Sequence, residues 1–255
     1  MRGQRVELSQ TSWLLAIVAA IAVGMAKGGL SMVGMISVPL MSLTMSPVTA
    51  AGIMLPVFII SDVGGLIAFR RSFDRRVLAT LLPGAIAGIG LGWATAHIVQ
   101  DDAVMLIVGL IGAVFALNAL IRPRMGEMRG SRWGAGTFWG SIAGYTSFVS
   151  HSGAPPYQIY VQPMGLPTAV YAGTTTVFFA IVNAVKLVPY AMLGQLNPDN
   201  LRIAAMLCLP AIFGVWLGLR LLRILPQALF YSIITWGLLL VSVKLVWDGV
   251  TGLAG

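Results

Sequence analysis

Two short stretches of this chain interrupt apolar sequence with groups that could hold an anion. The first is Lys27-Gly28-Gly29, where a full positive charge precedes glycines whose backbone amides can approach a ligand closely. A helix beginning after them would aim free N–H groups and a positive dipole end at that ligand. The second is Ser150-His151-Ser152-Gly153, which supplies hydroxyls, an imidazole and a flexible amide ahead of Pro155 and Pro156. The imidazole can donate to an oxyanion and can titrate near neutral pH. Three more polar residues stand inside long apolar runs. Asp62 lies eight residues before Arg70, about 12 Å along a helix, and so well inside an apolar layer. Asn183 and Lys186 share one helix face at a spacing of three. Ionisable groups in such a setting are functional candidates because they are costly to keep there. Lys27, Asp62 and Lys186 together leave one net positive charge. Thr174, following Gly173, could add a hydroxyl near a helix opening. The expected binding set is therefore Lys27, Gly28, Gly29, Ser150, His151, Ser152, Gly153, Thr174, Asn183 and Lys186. Asp62 and His151 are candidates for an ion pair or for proton coupling.

The parts needed for bond-breaking chemistry are missing from the sequence. There is no phosphate loop, HExxH, nucleophile elbow or carboxylate pair. No enzymatic activity, cofactor or metal is expected. The single cysteine, Cys208, sits in an apolar run and reads as a small buried hydrophobe.

The elements that must position these groups are membrane helices. Of the 255 residues 58% are apolar and only 9% are charged, against about 25% charged in a soluble domain. The net charge of +8 would suggest nucleic acid in a soluble protein, but here it fits basic loops on the cytoplasmic side, so no nucleic-acid partner is expected. Runs at Pro47 to Phe69, Val77 to Val99, Ala103 to Ile121, Pro167 to Leu193, Leu201 to Leu222 and Pro226 to Trp247 can each span a bilayer as a helix. Thr11 to Met45 and Trp133 to Leu166 are instead broken by the two polar stretches, each into two pieces mostly too short to cross alone.

The halves correspond. Val33 to Pro39 matches Val149 to Pro155, with the proline at the same offset. Pro47 leading to Ala51-Gly52 matches Pro167 leading to Ala172-Gly173, and Asp62 and Asn183 follow those glycines at corresponding places. Gly88 and Gly92 are matched with Gly214 and Gly218. Matched loops differ in charge: Arg70, Arg71, Arg75 and Arg76 correspond to a loop holding Asp199, and Asp101-Asp102 to a loop holding Arg223. Loops of opposite bias face opposite sides. The expected fold is an all-α membrane protein of two inverted repeats, 1–121 and 133–255, joined by a basic cytoplasmic linker at 122–132. Each repeat would be a broken helix pair followed by three transmembrane helices. The broken pairs would be half-depth hairpins or short spans; eight plain spans in parallel repeats are the alternative. Interrupted helices that meet near the midplane are how secondary transporters build substrate sites.

These residues resemble the sulfite exporter TauE/SafE family. The resemblance rests on Gly24 to Leu30, Ser37 to Leu40, Ala50 to Gly52 with Leu55-Pro56 and Asp62, then Ser147 to Pro156, Tyr171 to Thr174, Phe178 to Asn183, Lys186 and Pro189-Tyr190. Ser31 and Ala154 depart from it where such proteins often carry glycine. It implies a multi-pass protein of the bacterial inner membrane that exports sulfite, sulfonates or related small anions by alternating access. Protons would be a possible coupling ion and a homodimer a possible assembly. A passive anion channel, or a membrane subunit of an anion-handling complex, is the alternative.

Charge bias fixes an orientation that labelling checks. In a Cys208→Ser background, cysteines placed at 72–74 and in 122–132 should resist an impermeant thiol reagent in intact cells, whereas cysteines at 101 and 199 should react. Labelling at 72–74 from outside would reverse the orientation.

Overall fold

The computed structural model describes residues 9–28, 30, 33–42, 44–45, 47–96, 100–121, 131–224 and 226–254. Gly29, linker residues 122–130 and the side chain of Ser150 lie outside the described residues. Among the described residues the chain is helical, without strands. Its elements are α1 (Gln10–Lys27), a 3₁₀ turn (Val33–Ile36), α2 (Ser37–Ser42), α3 (Pro47–Phe69), α4 (Arg75–Thr95) and α5 (Asp101–Ile121). The second half has α6 (Trp133–Ser150), α7 (Ala154–Val161), a 3₁₀ turn that here follows the short helix (Gln162–Met164), α8 (Thr168–Met192), α9 (Pro198–Ile224) and α10 (Gln227–Ala254). Among the described residues six helices are long and apolar enough to cross a membrane, within α1, α3, α4, α8, α9 and α10.

Helix starts follow local chemistry. Proline opens α3 and α9, where a missing N–H costs nothing. The Asp74 carboxylate caps α4 by accepting from the amides of Arg76 and Val77 at 2.8 and 3.0 Å. The breaks fall where the glycines and prolines place them, although the pieces are unequal. α1 and α6 each have 18 residues, about 27 Å of helix, while the helical pieces after the breaks are far shorter. Of the pieces expected to be mostly too short to cross alone, α1 is long and apolar enough to do so.

The halves interlock. α1 packs along α9, and α6 packs along α4; α3 lies against α8, and α5 against α10. Exchanging the halves carries this set of pairings onto itself. The glycines make the correspondence residue by residue. A side chain on Gly24 or Gly28 would strike the backbone of Ala211 or Val215, and one on Gly140 or Gly144 that of Leu81 or Ala85. Likewise Gly214 and Gly218 face the carbonyls of Ile21 and Met25, as Gly84 and Gly88 face those of Thr137 and Ser141. The contacts thus pair Gly84 and Gly88 with Gly214 and Gly218, one helical turn earlier than the sequence match with Gly88 and Gly92. Gly92 meets the Phe148 ring instead. Such close approach lets helices gain van der Waals contact that lipid would otherwise supply.

α5 and α10 stand somewhat apart. They pack chiefly on each other and meet the remaining helices mainly through α6, α7 and the turn at Val33–Ile36.

Two glycines on one helix separate packing from propensity. Gly88 faces the Ser141 carbonyl and the Tyr145 amide, whereas nothing lies within 4 Å of a side chain at Gly90. Gly88→Ala should lower the melting temperature of the detergent-purified protein by several degrees. Gly90→Ala should leave it unchanged or raise it slightly, since alanine is favoured over glycine within a helix by about 1 kcal/mol.

Candidate functional site

α1 and α6 both stop inside the bundle, and the polar residues collect at the two stops. Lys27 is the last residue of α1 and is 5% exposed. A cation there suits the negative end of the helix dipole. The helix ends at Lys27, and the next helical segment among the described residues starts at Val33. Its ammonium lies 2.7 Å from one Asp62 oxygen and 5.3 and 5.7 Å from the ring centres of Phe58 and Phe179. The other Asp62 oxygen accepts from the Asn183 amide at 3.0 Å. Asp62 on α3 thus joins the end of α1 to the middle of α8. Of the two lysines available, the carboxylate pairs with Lys27.

The second stop is held by Lys186, which is fully buried. Its ammonium donates to the Ser147 carbonyl at 3.0 Å, the Ser147 hydroxyl at 3.1 Å and His151 Nδ1 at 2.7 Å. His151 Nε2 lies 3.1 Å from the Ala51 carbonyl. A carbonyl only accepts, so Nε2 carries the proton and Nδ1 accepts from the lysine. Lys186 Nζ thus meets the Ser147 carbonyl, the Ser147 hydroxyl oxygen and His151 Nδ1 together. His151 also caps α6 with φ of 55° and ψ of 18°, a left-handed conformation uncommon outside glycine and favoured among few residues, histidine included.

Between the two stops lies a cavity. Lys27, Ser147, His151, Thr175, Thr176 and Asn183 form its polar walls, and Ala26, Gly34, Phe58, Ala154 and Phe179 its apolar ones. The Thr176 hydroxyl donates to the Lys27 carbonyl at 3.3 Å and braces the end of α1, while the Thr175 hydroxyl donates to the Tyr171 carbonyl at 2.8 Å and lies 3.1 Å from the Tyr157 hydroxyl of α7. α7 starts beside the cavity at Gly153-Ala154, with no side chain capping it.

Lys27, Asp62, His151, Asn183 and Lys186 therefore come together in one cluster. The rest of the expected set is distributed differently. Gly28 packs against Val215 and Leu219 of α9, and its amide is used by the Gly24 carbonyl. Thr174 donates to the Val170 carbonyl and accepts from the Asp74 amide, holding the α3–α4 loop; the two threonines after it reach the cavity. Ser152 is buried and returns its amide to the Thr146 carbonyl. Gly153 is crowded by Ala143 and Ser147. Both His151 nitrogens are engaged, so its ring borders the cavity without a spare donor. Ser147, Phe58 and Phe179 were not singled out by sequence. Ser147 carried one usable signal, its place one turn before His151 on the same helix face.

The model of the sulfite exporter TauE/SafE family matches residues 15–245, which takes in every helix of the bundle and both breaks. The chain belongs to the sulfite exporter TauE/SafE family. No curated protein and no solved structure gives a match. The family is one of sulfite exporters, so membership implies a membrane transporter of sulfur-containing anions. Among the described residues there is no group of histidine, cysteine and acidic side chains suited to a metal ion.

The buried pair generates a stability test. Removing either partner leaves the other as an unmatched charge, at a cost of about 3–5 kcal/mol. Lys27→Met and Asp62→Leu should each lower thermal stability sharply, and the double variant by far less than their sum. Additive losses in such a cycle would mean the two groups do not interact.

Proposed function

We propose that this TauE/SafE-family chain exports a small sulfur oxyanion or organosulfonate across the bacterial inner membrane by alternating access, binding it in the cavity between the two broken segments. The observation that carries the reading is the Lys27 ammonium. It lines the cavity and has one polar partner among the described residues, Asp62, leaving donor hydrogens for a ligand. Asn183 stands beside it and donates to Asp62. The charge count supports an anion: Lys27 and Asp62 cancel, and Lys186 leaves one positive charge unmatched. Phe58 and Phe179 offer an apolar wall for the carbon or sulfur body behind an oxygen-bearing head.

The inverted repeat is the frame for this reading. Its support is the interchange of α1–α9 with α4–α6, together with opposite charge bias in matched loops. In such a frame the breaks of both halves border one site, and rearranging the packed glycine faces would expose it to one side at a time. Export of an anion is favoured by an inside-negative potential at about 2.3 kcal/mol per charge for each 100 mV. Proton coupling would pass through Asp62, the carboxylate of the cluster.

Efflux of labelled sulfite and of a sulfonate from expressing cells tests the proposal. Lys27→Gln should reduce efflux about tenfold or more, the value of a lost hydrogen bond to a charged group. Lys244→Ala should export normally, because that lysine makes only an exposed pair with Asp248 one turn away. Sustained single-channel currents from the purified protein in a planar bilayer would overturn alternating access in favour of a channel.

A further inference from the structure

Ser147 is placed to do more than brace a helix end, and we infer that its hydroxyl is a direct ligand of the anion, carrying the charge of Lys186 to it. The inference rests on the anion-binding reading of the cavity. Lys186 cannot touch the anion itself. It is absent from the cavity wall, and all three of its hydrogens are spent on the Ser147 carbonyl, the Ser147 hydroxyl and His151. His151 cannot pass the charge on, since its remaining nitrogen is given to the Ala51 carbonyl. Ser147 can. It lines the cavity, and its Oγ accepts from Lys186, so its O–H remains to be donated. No acceptor for that O–H stands among the described residues.

Serine hydroxyls within helices commonly turn back to a carbonyl one turn earlier, as Ser61 does to Val57 and Thr146 to Ile142. Ser147 makes no such bond. An ammonium donating into a hydroxyl oxygen polarises its O–H and strengthens it as a donor, most of all where water is excluded. The chain Lys186 to Ser147 to anion therefore complements the direct contact from Lys27 on the opposite break. One end of each broken segment would then hold the same ligand: Lys27 from α1, Ser147 from α6.

Titration calorimetry of the purified full chain with methanesulfonate, and with sulfite as a second probe, tests this. Ser147→Ala removes the relay, and Ser147→Cys keeps the volume and a sulfur for Lys186 while offering only a weak donor. Both should bind about tenfold more weakly or worse, and Ser147→Cys should keep its melting temperature within a few degrees. Should the alanine variant fail to fold, the cysteine variant decides. Lys27→Gln is the control for the site. Wild-type affinity in Ser147→Cys with binding lost in Lys27→Gln overturns the relay and leaves the cavity reading standing. Wild-type affinity in both, or no binding of either probe to the unaltered protein, removes the cavity reading and the relay with it.

Discussion

Two helices end inside the bundle, and a buried lysine stands at each end. A helix stopping in hydrocarbon exposes carbonyls that no water can satisfy, at several kcal/mol apiece. At the end of α1 the charge is the helix's own Lys27, neutralised by Asp62. At the end of α6 it comes from another helix, as Lys186 of α8 donates to the Ser147 carbonyl. Of the groups at the two breaks, Lys27 and Ser147 face the space between them, while Lys186 stands behind Ser147. Breaks, lysines and cavity thus form one arrangement.

The coarse architecture was legible because hydrocarbon imposes so few options. Uninterrupted apolar runs had to be helices, and α3, α5 and α8 coincide with them closely. Glycine and proline had to mark the interruptions, and the first broken helix does end at Lys27 and the second at Ser150. Register was harder. Gly88 and Gly92 copy the spacing of Gly214 and Gly218, yet Gly84 and Gly88 are the residues that meet the neighbouring backbone, and only three-dimensional contact distinguishes glycines repeating at every turn.

The site was legible in its charges and obscure in its hydroxyls. A lysine or aspartate in an apolar run announces itself by its cost, which is why Lys27, Asp62 and Lys186 were found together with their cluster. Serine and threonine cost little in a helix, since they can bond to their own backbone. Thr174 and Thr175 look alike in sequence, but one braces the α3–α4 loop and the other borders the cavity. Which lysine Asp62 would choose depended on the depth at which α1 meets α3.

The α5–α10 pair takes one helix from each half and rests on the remainder chiefly through α6, α7 and the turn at Val33–Ile36. Each of those three segments lends the cavity a wall residue: Ser147, Ala154 and Gly34. Any displacement of the pair would therefore load the cavity wall directly, so the footing of these two helices and the shape of the cavity are mechanically linked.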